Sequence, residues 1–467
     1  MCGIAGIFKR DVQQQPQPQQ LVNMVAMMSH RGPDGFGYQV LPECGVGFSH
    51  ARLSIIDLNE QRARQPFVSE NQQVMLAVNG EFYDFQRIRA DLTAQGVQFR
   101  SKADTEIALH LYQRDGLEQT LTQLRGEFAF ALYDRALDTL YLVRDRFGVK
   151  PLYYAETESG VVFGSELKAL FAHPEVPREF SSEGLFHQLI QVMVPGTTAF
   201  AGVQQVPPGH MVKIQRAQGQ LTISQSKYWD MTFPTSHVQD TDAAMEQEYV
   251  DGVREKLLEA VELRLNADVP VGCYLSGGID SCAILGLAAA VSQNPIKAFT
   301  IGFNSADYDE TAIAKEMAAV TGADHHVMSL SGEELYDHFV DTLWHTERTI
   351  YNTLGVAKYL MSQQVQQAGY KVVLTGEGSD ELFGGYPSFR LDMFKHGLAH
   401  LPAAEREAWQ QHLAESNQLV KGAMLAREEW HSDALTDKVG FTPSCLQPWL
   451  ACSELAMPLL APAHRDQ

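Results

Sequence analysis

Cys273-Tyr-Leu-Ser-Gly-Gly-Ile-Asp-Ser281 is the stretch around which the chain organises itself. Asp268-Val-Pro-Val-Gly272 leads into it as a short apolar run, which predicts a buried parallel strand. Cys282-Ala-Ile-Leu-Gly-Leu-Ala-Ala-Ala-Val291 follows, small and apolar, and predicts a helix packed on a sheet. Strand, glycine turn and helix together form a local geometry that binds phosphates. Gly277 and Gly278 let the backbone approach an anion, and the helix N-terminus aims free N–H groups at it. Ser276 and Ser281 add hydroxyl donors. Asp280 is a carboxylate among these donors, which makes sense if it holds a Mg2+ that bridges to the phosphates. A glycine turn without a ligand is the bland alternative. Ser, Asp and Ser at these spacings after an apolar strand argue against it. Nowhere does the chain read G-x-x-x-x-G-K-[ST], so this is not a Walker A loop.

The 467 residues leave room for two or three domains with full cores. A net charge of -21 argues against nucleic acid as a partner, and against anionic membranes. No apolar run reaches the roughly eighteen residues that a bilayer span needs. The N-terminal MCGIAGIFKRD is apolar but brief, without a basic region ahead of it, and does not read as a signal peptide. The six cysteines are scattered with no C-x-x-C pair, so no zinc site is expected. Reduced thiols in a cytoplasmic protein are the default.

Met1-Cys-Gly-Ile-Ala-Gly-Ile-Phe8 predicts a strand at the start of the chain. Cys2 is either a small buried hydrophobe or a nucleophile. In the second reading Met1 is removed and the α-amine of Cys2, with an ordinary pKa near 8, serves as base for its own thiol. Six further stretches accompany it: His30-Arg-Gly-Pro-Asp-Gly-Phe-Gly37, Ser49-His-Ala-Arg-Leu-Ser-Ile-Ile-Asp57, Asn79-Gly-Glu81 after the apolar run Val74–Val78, Ser101-Lys-Ala-Asp-Thr-Glu106 opening a helix, Arg144-Asp-Arg-Phe-Gly-Val-Lys-Pro-Leu-Tyr-Tyr154, and Phe163-Gly-Ser-Glu-Leu-Lys168. Arg52 is expected at the head of an apolar strand. Together these resemble the class II glutamine amidotransferases, the N-terminal-nucleophile hydrolases, over roughly residues 1 to 210.

The residue types suit glutamine. Arg52 can grip its α-carboxylate in a bidentate fork. Asp104 and Glu81 can take the ammonium, and Asn79 with the Gly80 N–H can form an oxyanion hole. These are also the roles that the resemblance implies for the matching positions, with Cys2 as nucleophile.

Ala243 to Leu265 predicts a long amphipathic helix, with Tyr249, Val253, Leu257, Val261 and Leu265 recurring every four residues. Beyond the opening loop, Lys297–Phe303 predicts a strand, 309–317 a helix, 324–328 a strand, 354–369 a helix and 371–374 a strand. Then comes Thr375-Gly-Glu-Gly-Ser-Asp-Glu-Leu-Phe-Gly-Gly-Tyr386. Alternating strands and helices imply a doubly wound parallel sheet with its ligand at the strand C-termini. Asp280 and Asp380 then face one Mg2+-ATP from two loops. The pair His325-His326 has no further ligand patterned with it, and no metal site is expected there.

SGGIDS resembles the pyrophosphate loop of ATP-pyrophosphatases. An amidotransferase domain followed by SGGIDS and GEGSDELFGGY resembles the glutamine-hydrolysing asparagine synthetases, over residues 1 to about 390. The resemblance implies an α/β and α+β fold: an Ntn-hydrolase-type αββα sandwich over residues 1–215, a linker over 216–240, and a doubly wound, adenine nucleotide α-hydrolase-like domain over 241–467. It implies that Leu275, Ser276, Gly277, Gly278, Asp280, Ser281, Ile301, Thr375 and Gly376 bind ATP, that Asp280 and Asp380 hold Mg2+, and that Glu377 assists formation of an acyl-adenylate and its attack by ammonia. The substrates implied are glutamine, ATP, and aspartate or another carboxylate. The oligomeric state stays open, a homodimer among the alternatives.

The C-terminus departs from that family. A DRM-like helix, an E-x-R-x-P-F-L-D stretch and a lysine that helps pyrophosphate leave are not found after residue 390, and Lys395, Lys421 and Lys438 match nothing. Glutaminase activity and Mg2+-ATP binding are therefore expected, with synthesis weak. Two rivals stand beside asparagine synthesis. One is amidation of another carboxylate, in an exopolysaccharide, peptide or secondary-metabolite pathway. The other is a chain with glutaminase activity only. The β-lactam-forming relatives are disfavoured by the presence of Cys2.

Overall fold

Burial on both faces of the N-terminal strand sets the architecture of the first half. The computed structural model describes residues 1–192, 194–233, 242–304, 309–398, 401–416 and 430–462. Residues 234–240 of the expected linker, and Lys421, lie outside the described residues. β1 (Gly3–Lys9) is buried along its whole length. Ile4 and Phe8 point into one apolar cluster, Ala5 and Ile7 into another. A period of two with apolar residues on both sides requires a layer on each face.

Eleven more strands complete two six-stranded sheets among the described residues: β2 (Gly35–Leu41), β3 (Val46–Arg52), β4 (Phe67–Val68), β5 (Val74–Tyr83), β6 (Arg125–Asp134), β7 (Thr139–Arg144), β8 (Tyr153–Thr157), β9 (Gly160–Gly164), β10 (Val203–Gln205), β11 (His210–Ala217) and β12 (Gln220–Lys227). Their orders are β10-β8-β9-β1-β3-β2 and β12-β11-β7-β6-β5-β4. Met75, Ala77, Ala129 and Ala131 of the second sheet join Ile4 and Phe8 in the central core. Four helices cover the outer faces: α1 (Pro18–Ala26), α2 (Phe85–Ala94), α3 (Ile107–Gln123) and α4 (Leu167–Phe171). Leu21 and Met24 of α1 and Leu170 of α4 pack on the first sheet. Ile88 of α2 and Leu111 of α3 pack on the second. Three apolar interfaces between four layers make the expected αββα sandwich.

Several local expectations need correction. Arg52 ends β3 instead of heading a strand, because its guanidinium turns to the carbonyls of Asp57 and Asn59 in the loop that follows. Asn79-Gly-Glu81 lies inside β5, paired to Ala129, Phe128 and Glu127 of β6. The linker expected from residue 216 starts later. Gln218 and Gly219 both take positive φ, the geometry of a type I′ turn, and fold Gln220–Lys227 back onto β11. The helix Ala243–Leu265 forms as expected, yet of its apolar stripe Tyr249 and Val253 are exposed and Val261 is buried.

The second sheet system is parallel. β13 (Val271–Tyr274), β14 (Lys297–Phe303), β15 (Asp324–Leu330) and β16 (Val372–Leu374) lie in the order β15-β14-β13-β16. β13 pairs β14 and β14 pairs β15 in parallel. The chain steps outward from β13 to β15, then returns to the other side of β13. That reversal is the switch point of a doubly wound sheet, where ligands bind. The right-handed crossover rule places the returning helix, Leu354–Gln367, opposite the helices Ile279–Val291 and Thr311–Thr321.

The chain divides into two compact units. The first is Met1–Gly184, Met193–Val271 and Tyr370–Val372; the second is Leu185–Val192, Gly272–Gly369 and Val373–Gln467. The helix Ala243–Leu265, expected in the second domain, belongs to the first unit, where Arg125 pairs Glu259 and Arg264 pairs Glu127.

Candidate active sites

In the first unit Cys2 immediately precedes β1 and is half-buried. Its Sγ accepts the Leu53 N–H at 3.3 Å, just past the end of β3. Burial pushes the thiol up, partly offset by the neighbouring N-terminal amine. That amine, on Met1 in this structure, is itself lowered to about 5 by burial. Asp104 opens the turn before α3 and accepts the Phe82 N–H at 2.7 Å. Its carboxyl is pushed up to about 7, first by burial and then by the charge of Glu81. Glu81 is also raised by burial, against the pull of Lys150. Cys2, Glu81 and Asp104 thus share one electrostatic neighbourhood.

Asn79 is fully buried, its Nδ2 3.5 Å from Ser165 Oγ, which also accepts the Ile4 N–H at 3.0 Å. Gly80 follows, and only glycine fits: a Cβ there would meet the Glu127 carbonyl oxygen at 2.2 Å. Arg52 lines a concavity with Gly35, Phe36, His50, Arg64 and Gln65.

Two more charged residues of the quoted motifs, Arg31 and Glu166, belong to this site. Arg31 Nε donates to the Cys2 carbonyl at 2.9 Å, and its Nη1 reaches Glu166 at 3.0 Å. Burial alone would raise the Glu166 carboxyl, but the hydrogen bond from His30 and the charges of Arg31 and Lys168 hold it at about 2. An ion pair this deeply buried beside the N-terminus fixes the Cys2 backbone. The signal in the sequence is a charge set beside glycine in each motif, Arg31 before Gly32 and Glu166 two residues after Gly164.

In the second unit, loop 275–281 leaves β13. Ser281 Oγ accepts the Ser276 N–H at 3.0 Å, and Ser276 Oγ accepts the Gly278 N–H at 3.1 Å. The Gly277 N–H donates to Glu310 Oε2 at 2.8 Å. Leu275 is buried, and its carbonyl accepts the Thr300 hydroxyl at 2.7 Å. Ile301 is half-buried in β14, while Thr375 and Glu377 are exposed. Loop 375–385 leaves β16 and meets the first loop: a Cβ on Gly376 would lie 2.8 Å from the Asp280 carbonyl carbon. Desolvation, then the charges of Asp280 and Glu381, push the Asp380 carboxyl up.

Among the described residues no group of three or more His, Cys, Asp or Glu could cage a metal by itself. Asp280 and Asp380 fit the other mode of Mg2+ binding, in which one or two carboxylates are completed by phosphate oxygens and water.

Two family models match the chain in succession, the second beginning inside the helix Ala243–Leu265. The family described as glutamine amidotransferase domain matches residues 1–229, and that described as asparagine synthase matches residues 252–443. Amidase chry2 of Gibberella zeae is 37% identical over 388 residues, 80% of this chain and 56% of the relative. Amidase chyE of Penicillium rubens is 36% identical over 431 residues, 87% of this chain and 62% of the relative. Asparagine synthetase [glutamine-hydrolyzing] 3 of Bacillus subtilis is 30% identical over 437 residues, 88% of this chain and 69% of the relative. The chain belongs to the glutamine-hydrolysing asparagine synthetase family. It spans 56% and 62% of the length of the two amidases.

Proposed function

We propose that the chain is a glutamine-dependent amidotransferase that transfers ammonia to a carboxylate activated by ATP. The observation that carries this reading is the cluster at Cys2. A thiol receiving the Leu53 N–H stands with two raised carboxylates, Glu81 and Asp104, and a buried amide, Asn79.

Once Met1 is removed, the α-amine of Cys2 takes the thiol proton, and sulfur attacks the side-chain carbonyl carbon of glutamine. Arg52 grips the α-carboxylate, while Asp104 and Glu81 take the ammonium. Asn79 and the Gly80 N–H donate to the tetrahedral oxyanion. Ammonia leaves with the proton from the amine, and water hydrolyses the thioester to glutamate.

At the switch point, the loop N–H groups and hydroxyls of Ser276, Gly277, Gly278 and Ser281 would receive the phosphates, with Leu275, Ile301, Thr375 and Gly376 around the nucleotide. A carboxylate oxygen attacks the α-phosphorus, the bond to the β-phosphate oxygen breaks, and pyrophosphate leaves. Ammonia then attacks the acyl carbon, AMP leaves, and Glu377 accepts the surplus proton. Asp280 and Asp380 would hold Mg2+, which when bound supplies positive charge against the phosphates.

Aspartate is the first acceptor to consider. A second reading, another carboxylic acid, is favoured because two relatives named amidases share more identity with this chain than asparagine synthetase 3 does. ATP, glutamine and six unpaired cysteines suit a cytoplasmic location. Amide formation with free ammonia, measured over aspartate and a panel of acids beside the glutaminase rate, tests the reading. Glutamine hydrolysis without amide formation from any acid would leave a glutaminase and overturn it.

A further inference from the structure

The proposed chemistry brings an anionic acceptor to phosphates at a point already crowded with carboxylates. Asp280, Glu377, Asp380 and Glu381 stand on two touching loops. Asp380 feels all three of the others. Arg390 offsets part of this charge at Asp380, and Lys358 Nζ lies 2.5 Å from Glu377 Oε1.

That contact is built into the fold. Lys358 stands on the helix Leu354–Gln367, whose Val356, Ala357, Leu360 and Val365 are buried. The buried stripe fixes the helix and turns Lys358 and Ser362, four residues apart, to another face. Ser362 Oγ lies 3.1 Å from the hydroxyl of Tyr274, the last residue of β13 before the phosphate loop. One helix face therefore reaches the strand that carries the first loop and the glutamate of the second. Lys358 and Glu377 are both largely solvent-exposed, and an exposed ion pair contributes little to stability. Stability therefore gains little from this pair.

Resting on the function proposed above, we propose that Lys358 is a positioning residue of the ATP-dependent half-reaction. It holds the Glu377 carboxylate at the switch point and supplies the positive charge that lets an acceptor carboxylate approach the nucleotide.

Lys358→Gln, Lys358→Arg and Glu377→Gln in the full chain test this with ammonia as nitrogen source. Lys358→Gln is expected to lower kcat for amide formation about 10- to 100-fold. Lys358→Arg should restore most of that loss. In the Glu377→Gln background, Lys358→Gln should cost little more, since residues acting as one unit are not additive. The glutaminase rate should not move. A second readout does not depend on synthesis: acetylation of Lys358, followed by peptide mass spectrometry. It should run faster in Glu377→Gln than in the unaltered chain, and slower with Mg2+-ATP present. Full synthesis in Lys358→Gln, or equal labelling with and without Glu377, overturns the proposal. If the unaltered chain makes no amide from any acid, the proposed function falls, and the labelling alone decides Lys358.

Discussion

Asp104 carries the sharpest residue-scale consequence. Its pKa of about 7 lies above the ordinary 3.8, so between about pH 4 and 7 the folded chain holds a proton that the unfolded chain has released. Stability from this group therefore falls as pH rises through that window and stays low above it. Asp104→Asn keeps the neutral shape, and is expected to be more stable than the unaltered chain at pH 8 but not at pH 4.5, by urea denaturation at both. Glutamine needs the opposite state, because its ammonium pairs with the carboxylate. The KM for glutamine is expected to rise as pH falls from 8 to 6, and this slope should vanish in Asp104→Asn. Arg52→Lys is expected to raise the same KM about 10- to 100-fold, since a lysine loses one of two charge-assisted hydrogen bonds. An unchanged KM would remove Arg52 from the glutamine site.

At the scale of elements, two glycines hold strands and loops at distances no side chain permits. Gly80 sits against the β6 backbone, where a Cβ would be 2.2 Å from the Glu127 oxygen. Gly80→Ala is expected to cost about 1–3 kcal/mol of unfolding free energy, because backbone on both sides has to move. Gly376 holds loop 375–385 against loop 275–281. Gly376→Ala would push Asp280 aside and is expected to weaken Mg2+-ATP binding about tenfold in calorimetry, with the glutaminase rate intact. Normal nucleotide affinity in this variant would show that the loop contact is not used.

For the whole molecule, the two candidate sites belong to different units, and their half-reactions should separate by mutation. Cys2→Ala is expected to abolish glutamine hydrolysis and leave ammonia-dependent synthesis. Asp280→Asn or Asp380→Asn is expected to weaken Mg2+-ATP binding and leave glutamine hydrolysis. Intact mass showing Met1 retained in active protein would remove Cys2 as the nucleophile.

Much of this was legible in the chain itself. β1, β14 and the two glycine loops follow from apolar runs and short motifs, where neighbours in sequence dictate backbone geometry. The same local logic put Cys2 at the mouth of β1 and Asp280 and Asp380 after parallel strands. Tertiary structure decided the rest. The Arg31–Glu166 pair joins residues 135 apart, and neither charge announces a partner. Asn79 reads as a residue after a strand until β6 pairs through it. The exposed stripe of the helix Ala243–Leu265 and the hairpin that makes β12 depend on which faces other elements cover. Asp104 is an ordinary aspartate by sequence. Its raised pKa exists once burial removes water and folding brings Glu81 beside it, and neither desolvation nor a through-space charge is written in local sequence.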